Sequence, residues 1–318
     1  MIRVGVMRGG IGPQYSMSLE TGGHVIRALR DDTYKDKYKV LDMLIDKDGV
    51  LHANGLPIQT EDIHKKVDVV FNALHGEFGG DGKLQQILEH WKIPYTGSGI
   101  FPSALGHNRK LAKYKFKSMG VKTPEYIIFP SYNTEHDGSE ADYPLRKARE
   151  VWNKIPAPWI VKPIIPGSSM GNHVCKTFPE LERAFDMAMR HGLSVLVEEL
   201  IQGKDASVVT VDNYRKQNLY TMPAIENRAG ITICPGNFTI KEKKELEELA
   251  KLIHKEFDFS HYSKSNFIIH PKKGAYVLSV ENLPHLHDEA HLTHALGSVG
   301  STIGEFVDHI LTLAFKSK

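Results

Sequence analysis

Residues 67–74 (VDVVFNAL) constrain the fold most, because this stretch is almost entirely apolar. Such a run is typical of a parallel strand that is covered on both faces. Residues 2–7 predict a second buried strand, which leads through Gly9 and Gly10 into residues 18–29, where the apolar side chains have helical spacing. Strand, glycine turn and helix in this order predict an α/β fold. We expect ligands where the strands end, and His75 directly follows residues 67–74.

A second informative stretch, residues 158–174 (PWIVKPIIPGSSMGNHV), predicts two short strands joined by a turn. The first strand ends in Lys162, because Pro163 cannot continue an interior strand. The turn offers backbone N–H groups and two hydroxyl groups from Gly167, Ser168, Ser169 and Gly171. Such a turn can fold over a phosphate, to which the lysine adds a positive charge. An ordinary hairpin loop is the alternative, and this stretch alone does not decide between the two.

Charge, cysteine content and apolar runs narrow the class of protein. The net charge of +2 gives no reason to expect a nucleic-acid partner. No apolar run approaches the roughly 18 residues that a membrane-spanning helix requires, so we expect no membrane association. Two cysteines without a CxxC pattern suit a reducing compartment. We therefore expect a cytoplasmic protein, and 318 residues are enough for two or three subdomains.

The remaining periodic segments predict further helices and strand pairs. Residues 103–119 read as one basic helix, and residues 177–191 as an amphipathic helix that begins with a Thr-x-x-Glu capping box. Residues 241–257 predict a charged helix. Antiparallel pairs are expected for residues 206–212 with 218–223 and for residues 266–270 with 275–280.

Five sequence blocks, in the same order along the chain, resemble the D-alanine–D-alanine ligases of the ATP-grasp superfamily. The blocks are RGG…SLETG at 8–22, HGEFGGDGKLQQILEHWKIPYTGSG at 75–99, VKPIIPGSSMG at 161–171, LVEELIQGKD at 196–205 and YVLSVENLPHL at 276–286. One shared motif would be weak evidence, whereas five collinear blocks span the chain from end to end.

The resemblance implies a three-subdomain ATP-grasp fold of the α/β class. Its parts would be an N-terminal Rossmann-like (preATP-grasp) α/β domain at 1–100, a central ATP-grasp subdomain at 101–202 and a C-terminal ATP-grasp subdomain at 203–318. ATP would be gripped between the last two. Members of the family commonly pair through the N-terminal domain, so the resemblance also implies a homodimer.

The family's reaction makes a dipeptide precursor of peptidoglycan. ATP phosphorylates the carboxylate of a first D-alanine, and the amine of a second D-alanine attacks the resulting acyl phosphate. Negative charge builds on phosphoryl oxygens and on an oxyanion, which requires cations and N–H donors. The resemblance therefore implies ATP and Mg²⁺ as cofactors and a small amino acid as substrate.

The nucleotide-binding positions of the family are largely present. Lys162 matches a phosphate-binding lysine, and Arg109 replaces a second one. Glu198 matches the acidic residue at the nucleotide hinge, and Asp205 stands where the family has a ribose-binding glutamate. The resemblance thus implies that ATP is bound by Arg109, Lys162, Gly167, Ser168, Ser169, Gly171, Glu198, Glu199, Leu200, Ile201 and Asp205.

The substrate positions depart from the family pattern. Gln14 replaces the glutamate that holds the first ammonium group, and Lys264 replaces the arginine that steadies the oxyanion. His285 replaces a glycine, which should crowd the second substrate, and Gly80 replaces an acidic residue. The implied catalytic residues are Gln14, Ser168 and Lys264, and the implied substrate-binding residues are His75, Gly97, Ser98, His285 and Leu286.

The metal positions and the lid depart as well. Asn266, Ser279 and Glu281 stand where the family has an aspartate, a glutamate and an asparagine, so two carboxylates have become one. A shift by two residues keeps that carboxylate on the same face of the strand. Residues 225–234 are too short for the family's substrate lid. We expect weakened magnesium binding, and hydrolysis in competition with ligation.

Two functions from different classes follow. The first is an ATP-dependent ligase of weakened or altered activity, and the second is a catalytically silent nucleotide-binding homologue. A different carboxylate–amine ligase and a phosphatase-like ATPase are further alternatives. The histidine-rich residues 285–294 allow a transition-metal site with His287 and His291 on one helical face, but a solvated helix start is the favoured interpretation.

Overall fold

The computed structural model describes residues 1–166 and 170–316. Gly167, Ser168 and Ser169, in the predicted phosphate-binding turn, lie outside the described residues. The described chain forms three β-sheets with helices packed against them. No helix of this part of the chain is long and apolar enough to cross a membrane.

The first sheet confirms the predicted α/β opening. Its strands are β1 (Ile2–Gly9), β2 (Tyr38–Ile45), β3 (Leu51–Ala53), β4 (Leu56–Pro57) and β5 (Val69–Asn72), in the order β4-β3-β2-β1-β5. Strand β1 pairs in parallel with β2 and with β5, and all four residues of β5 are buried. The helices of this part are α1 (Tyr15–Arg30), α2 (Ile63–Lys66) and α3 (Lys83–His90).

The single basic helix predicted for residues 103–119 is wrong, because the structure has two helices there. Helix α4 (Ile100–His107) ends before Asn108, and α5 (Arg109–Ser118) begins after it. The Asn108 backbone is extended, with ψ near 109°, and its side chain accepts hydrogen bonds from the N–H groups of Lys110 and Leu111. An asparagine that caps a new helix in this way separates two helices, although the residues on both sides of it have helical spacing.

The second sheet contains β6 (Tyr126–Phe129), β7 (Trp159–Pro163), β8 (His173–Cys175) and β9 (Val195–Glu199), in the order β6-β9-β7-β8. Strands β7 and β8 pair antiparallel, as predicted, and β7 ends at Pro163. Helices α6 (Tyr143–Trp152) and α7 (Phe178–Arg190) pack together beside this sheet. The capping box of Thr177 and Glu180 is present at the start of α7.

The third sheet is antiparallel. Its strands are β10 (Lys204–Asp212), β11 (Leu219–Thr221), β12 (Ile225–Arg228), β13 (Ile231–Ile233), β14 (Tyr262–His270) and β15 (Gly274–Glu281). The order is β13-β12-β10-β14-β15, with β11 also paired to β10, and α8 (Ile240–Glu256) packs on the sheet. An irregularity after Asn266 shifts the β14–β15 register, so that Lys264 faces Glu281 and Asn266 faces Ser279.

The chain ends with α9 (His291–Ser298) and α10 (Ile303–Lys316), and α10 returns to pack against α1 and β5 of the first sheet. Because α9 begins at His291, His287 precedes the helix, and the predicted pairing of His287 and His291 on one helical face is wrong. The division of the chain at residues 100 and 202 stays a prediction.

Candidate active site

A cavity of about 510 Å³ brings together residues from all three sheets and their connections. Its walls include β7 and β9 on one side and β10, β14 and β15 on the other, with the loops after β1 and β5 at its edge. The predicted site residues that line it are Gln14, His75, Arg109, Lys162, Glu198, Asp205, Lys264, Asn266, Ser279, Glu281 and His285.

Seven other predicted residues do not line this cavity: Gly97, Ser98, Gly171, Glu199, Leu200, Ile201 and Leu286. The Gly97 N–H group donates to His261 Nδ1 at 3.0 Å, and Ser98 Oγ accepts from the N–H group of Ser260 at 3.0 Å. This turn therefore fastens the loop after the first sheet to the loop that precedes β14. Its contact with a substrate remains a prediction.

Basic side chains surround one buried carboxylate at one end of the cavity. Lys162 Nζ donates to Glu198 Oε2 at 2.5 Å, and the Lys113 ammonium pairs with Glu198 Oε1. Burial alone would raise the pKa of Glu198, but the two lysines outweigh it and hold that pKa below its usual value. Burial lowers the pKa of Lys113 against the opposing effect of Glu198.

Arg109 adds a third positive charge to this end. Its guanidinium donates to the carbonyl oxygen of Pro163 at 2.6 Å, which anchors the start of α5 to the end of β7. With Lys113 and Lys162 it gives three positive charges against the single carboxylate of Glu198. We call Arg109, Lys113, Lys162 and Glu198 the basic cluster. An excess of buried positive charge is the chemistry that polyphosphate binding requires.

A second polar network lies on strands β10, β14 and β15. Glu281 Oε1 accepts from Lys264 Nζ at 2.8 Å and from Asn266 Nδ2 at 3.0 Å. Asn266 Nδ2 also donates to Ser279 Oγ at 3.0 Å, while Asn266 Oδ1 accepts from the hydroxyl group of Ser207 at 2.8 Å. Burial would raise the pKa of Glu281, but Lys264 outweighs it, so the pKa lies below its usual value.

This donor set does not fit the Mg²⁺ ion that the resemblance implies. Magnesium favours hard oxygen ligands, usually one or two carboxylates with nearly octahedral geometry. Here the only carboxylate of the set, that of Glu281, is ion-paired with the ammonium group of Lys264. The Asn266 side-chain amide directs its N–H bonds toward Glu281 and Ser279. Among the described residues, no group of three or more His, Cys, Asp or Glu side chains could hold a metal ion.

Histidines form the wall nearest the ends of β5 and β15. The rings of His75 and His285 lie 3.9 Å apart between centroids, and His75 Nε2 hydrogen-bonds Thr21 Oγ1 at 2.9 Å. Burial lowers the pKa of His75 far below its usual value, and it lowers the pKa of His285 and of His291 to about 4. These rings are neutral near pH 7, and the prediction of a merely solvated histidine run is wrong for His285 and His291, which line the cavity.

Close packing surrounds two positions that depart from the family pattern, Gly80 and Gln14. A Cβ atom on Gly80 would lie 2.9 Å from the carbonyl oxygen of Gly76, so an acidic residue would not fit this backbone without movement. A Cβ atom on Gly76 would lie 3.0 Å from Gln14 Oε1, which shows that the Gln14 side chain covers this turn. Residues 225–234 form the tight hairpin of β12 and β13, and none of them lines the cavity.

Several residues of the cavity were missed at the level of sequence. They are His107, Lys113, Asn172, Ser207 and Asn282. His291, which the sequence offered only as part of a transition-metal pair, lines the cavity as well. The sequence could have indicated Lys113, because it follows Arg109 by one helical turn and so shares its face. No sequence pattern indicated Ser207, since its position opposite Asn266 depends on the register of β10 and β14.

Comparisons with known proteins agree with this architecture. The family model described as D-ala D-ala ligase C-terminus matches residues 116–312, and that described as D-ala D-ala ligase N-terminus matches residues 51–98. The D-alanine–D-alanine ligase of Anaeromyxobacter sp. (strain K) is 28% identical over 318 residues, which cover 97% of this chain and 96% of the relative.

Solved structures give the same fold. The D-alanine–D-alanine ligase of Coxiella burnetii superimposes with a TM-score of 0.82 at 19% identity, covering 99% of this chain and 94% of that one. The D-alanine–D-alanine ligase of Bacillus anthracis complexed with ATP gives a TM-score of 0.78 at 21% identity, with 100% and 98% of the two chains covered. The three sheets are thus those of an ATP-grasp fold, and the chain belongs to the D-alanine–D-alanine ligase family.

Proposed function

We propose that this protein is an ATP-dependent ligase that joins the carboxylate of one D-alanine, or of a similar small amino acid, to the amine of another. The observation that carries the proposal is one cavity lined both by the basic cluster and by Lys264, together with His75, His285 and His291, which we call the histidine wall. Family membership adds the reaction type, and the ATP complex of the similar ligase from Bacillus anthracis supports ATP as the phosphoryl donor.

The basic cluster is assigned to the triphosphate. Charge develops on the oxygens of the γ-phosphoryl group as it moves to a carboxylate oxygen of the first amino acid. Lys162 and Arg109 would neutralise that charge, and because Glu198 and the Pro163 carbonyl oxygen already hold them in place, they need little rearrangement to do so. The Lys113–Glu198 pair would hold Lys162 in place, since Glu198 contacts both ammonium groups.

Lys264 is assigned to the second step. The amine of the second amino acid attacks the acyl carbon, the carbonyl oxygen becomes an oxyanion, and phosphate leaves with the former carboxylate oxygen. An ammonium group can stabilise that oxyanion, although it lacks the bidentate geometry of an arginine. Gln14 would hold the first substrate's ammonium group through a neutral hydrogen bond, which is weaker than a carboxylate contact.

The histidine wall would set the size of the second substrate. His285 projects into the cavity beside His75, and both rings are neutral near pH 7. A neutral wall of this kind leaves little room for a large side chain and offers no charge to an acidic one. D-Alanine or a similarly small amino acid therefore fits best. Dimerisation through the N-terminal part stays a prediction.

A second candidate function is nucleotide binding without ligation. The observation that favours it is the engagement of Glu281 by Lys264 and Asn266, together with the short hairpin at residues 225–234. Without a lid, water would reach the acyl phosphate or the reaction would not start.

Product analysis distinguishes the two functions. The protein is incubated with ATP and either D-alanine or L-alanine, and the mixture is analysed by mass spectrometry for a dialanine and for ADP. Ligase function predicts a dipeptide from D-alanine that requires ATP. ATP binding without any dipeptide would favour the second function.

A further inference from the structure

We propose that Lys264 is a built-in cation of this site, so that the triphosphate binds without a divalent ion bridging it to protein side chains. The inference rests on the proposed function for the binding of ATP and is independent of turnover. It follows from the hydrogen bonds of the network around Glu281.

Most of the side-chain oxygens at the implied metal positions already accept a hydrogen bond from the protein. Asn266, Ser279 and Glu281 carry four side-chain oxygens, and three of them contact a donor within the protein. Asn266 Oδ1 accepts from Ser207, Ser279 Oγ accepts from Asn266, and Glu281 Oε1 accepts from both Lys264 and Asn266. A divalent ion that took more than one ligand from this set would have to displace one of these donors.

The strand register makes the network a built feature of the sheet. Lys264 and Asn266 are on β14 and face Glu281 and Ser279 on β15, and Ser207 on β10 faces Asn266 from the other side. The three strands place these five interacting side chains on one face of the sheet. The ammonium group therefore lies beside the carboxylate because of the backbone pairing, and not because a surface side chain happens to reach it.

The charges of Lys264 and Glu281 oppose the binding of a divalent ion at this network. A divalent ion on Glu281 would lie next to the ammonium group of Lys264, which is 2.8 Å from the same carboxylate, and like charges at such a short distance repel each other. With Lys264 in place, the carboxylate of Glu281 is neutralised, so it does not oppose the net positive charge of the basic cluster on the triphosphate. The triphosphate thus meets the positive charge of the basic cluster, and no bridging ion is needed to offset Glu281.

Calorimetry on the full chain tests the inference directly. ATP is titrated into the protein once in EDTA and once in excess Mg²⁺. We expect dissociation constants that agree within about threefold. Binding that is about tenfold tighter with Mg²⁺, or that requires it, overturns the inference while the ATP-binding function stands. Absence of binding in both buffers overturns the ATP-binding function and the inference together.

Three variants test whether Lys264 supplies the positive charge. Lys264→Met removes the built-in cation and frees Glu281, so ATP binding in EDTA should weaken about tenfold and Mg²⁺ should restore part of it. The double variant Lys264→Met, Glu281→Gln should lose that restoration, because it has no carboxylate left in the network. Lys244→Met removes an exposed lysine that pairs with Glu248 on α8, and it should behave like the unmodified protein.

A Lys264→Met protein that binds ATP in EDTA as tightly as the unmodified chain would overturn the role given to Lys264. Circular dichroism of each variant checks that it is folded. If Lys264→Met does not fold, the comparison of EDTA and Mg²⁺ on the unmodified chain still decides the inference, since it requires no substitution.

Discussion

Lys113 on α5 and Glu198 on β9 form an ion pair that is almost completely enclosed, with 2% and 1% of the two side chains exposed. Lys162 reaches the same carboxylate from β7. The pair therefore links the helix that carries Arg109 to the two central strands of the second sheet. Its energetic consequences can be tested apart from any catalytic activity.

Glu198→Gln should lower the free energy of unfolding by about 3–5 kcal/mol, because it leaves the Lys113 ammonium group buried without a counter-charge. Urea denaturation of the variant and of the unmodified chain measures the change. Glu256→Gln is the matched control, since Glu256 pairs with Lys115 at the surface and should cost about 1 kcal/mol or less. Equal losses of unfolding free energy in the two variants would show that the enclosed pair stabilises the fold no more than the surface pair does.

Lys162→Met should weaken ATP binding about tenfold or more, because Lys162 is the least buried member of the Lys113–Glu198–Lys162 group and is the one assigned to phosphate. The measurement is the rise in melting temperature that ATP produces. Lys154→Met, which removes an exposed lysine that pairs with Glu150 on α6, should leave that rise unchanged. The same rise in Lys162→Met and in the unmodified chain would refute the assignment.

Gly80→Ala should destabilise the protein by about 1–3 kcal/mol, because the new Cβ atom would lie 2.9 Å from the carbonyl oxygen of Gly76. Gly297→Ala is the control of opposite sign. Gly297 lies within α9 with open space around its Cβ position, and alanine should stabilise the helix by roughly 0.5–1 kcal/mol. Thermal or urea denaturation gives both values, and a neutral or stabilising Gly80→Ala would contradict the crowding argument.

The stability of the fold should fall as the pH is lowered from about 7 to 5, in part through His261. Burial, opposed by Asp212, lowers the pKa of His261 to about 4, so the folded protein keeps this ring neutral. The unfolded chain, with an ordinary pKa near 6.5, takes up a proton first, and the contribution of this one group between pH 7 and pH 5 is about 2 kcal/mol.

His261→Asn removes the titrating group at a position where φ is 68°, a conformation that asparagine tolerates. The variant should show a flatter dependence of unfolding free energy on pH between 5 and 7. Urea denaturation at several pH values measures both slopes. Identical slopes would mean that His261 does not bind its proton more weakly in the folded state.

The sequence predicted those features that depend on neighbouring residues. The capping box of Thr177 and Glu180 and the buried parallel strand β5 are of this kind, and both are confirmed. The break at Asn108 was not predicted, since an asparagine inside a helical pattern is also compatible with a continuous helix.

Features that depend on contacts between distant segments could not be predicted in the same way. The pairing of Lys264 with Glu281 needs the register shift after Asn266, which moves every later residue of β15 relative to β14. The contact between Gly97 and His261 joins positions that no local pattern connects. Five collinear blocks nevertheless indicated the family that the comparisons show.

The central claim is that this cavity joins amino acids through an acyl phosphate, and isotope transfer tests it most directly. The protein is incubated with ATP and with D-alanine that carries ¹⁸O in both carboxylate oxygens, and the released phosphate is analysed by mass spectrometry. We predict phosphate that contains one ¹⁸O atom, because the carboxylate oxygen that accepts the phosphoryl group leaves with it. Unlabelled phosphate would mean that water attacks ATP directly, and either that result or no released phosphate would contradict the proposed reaction.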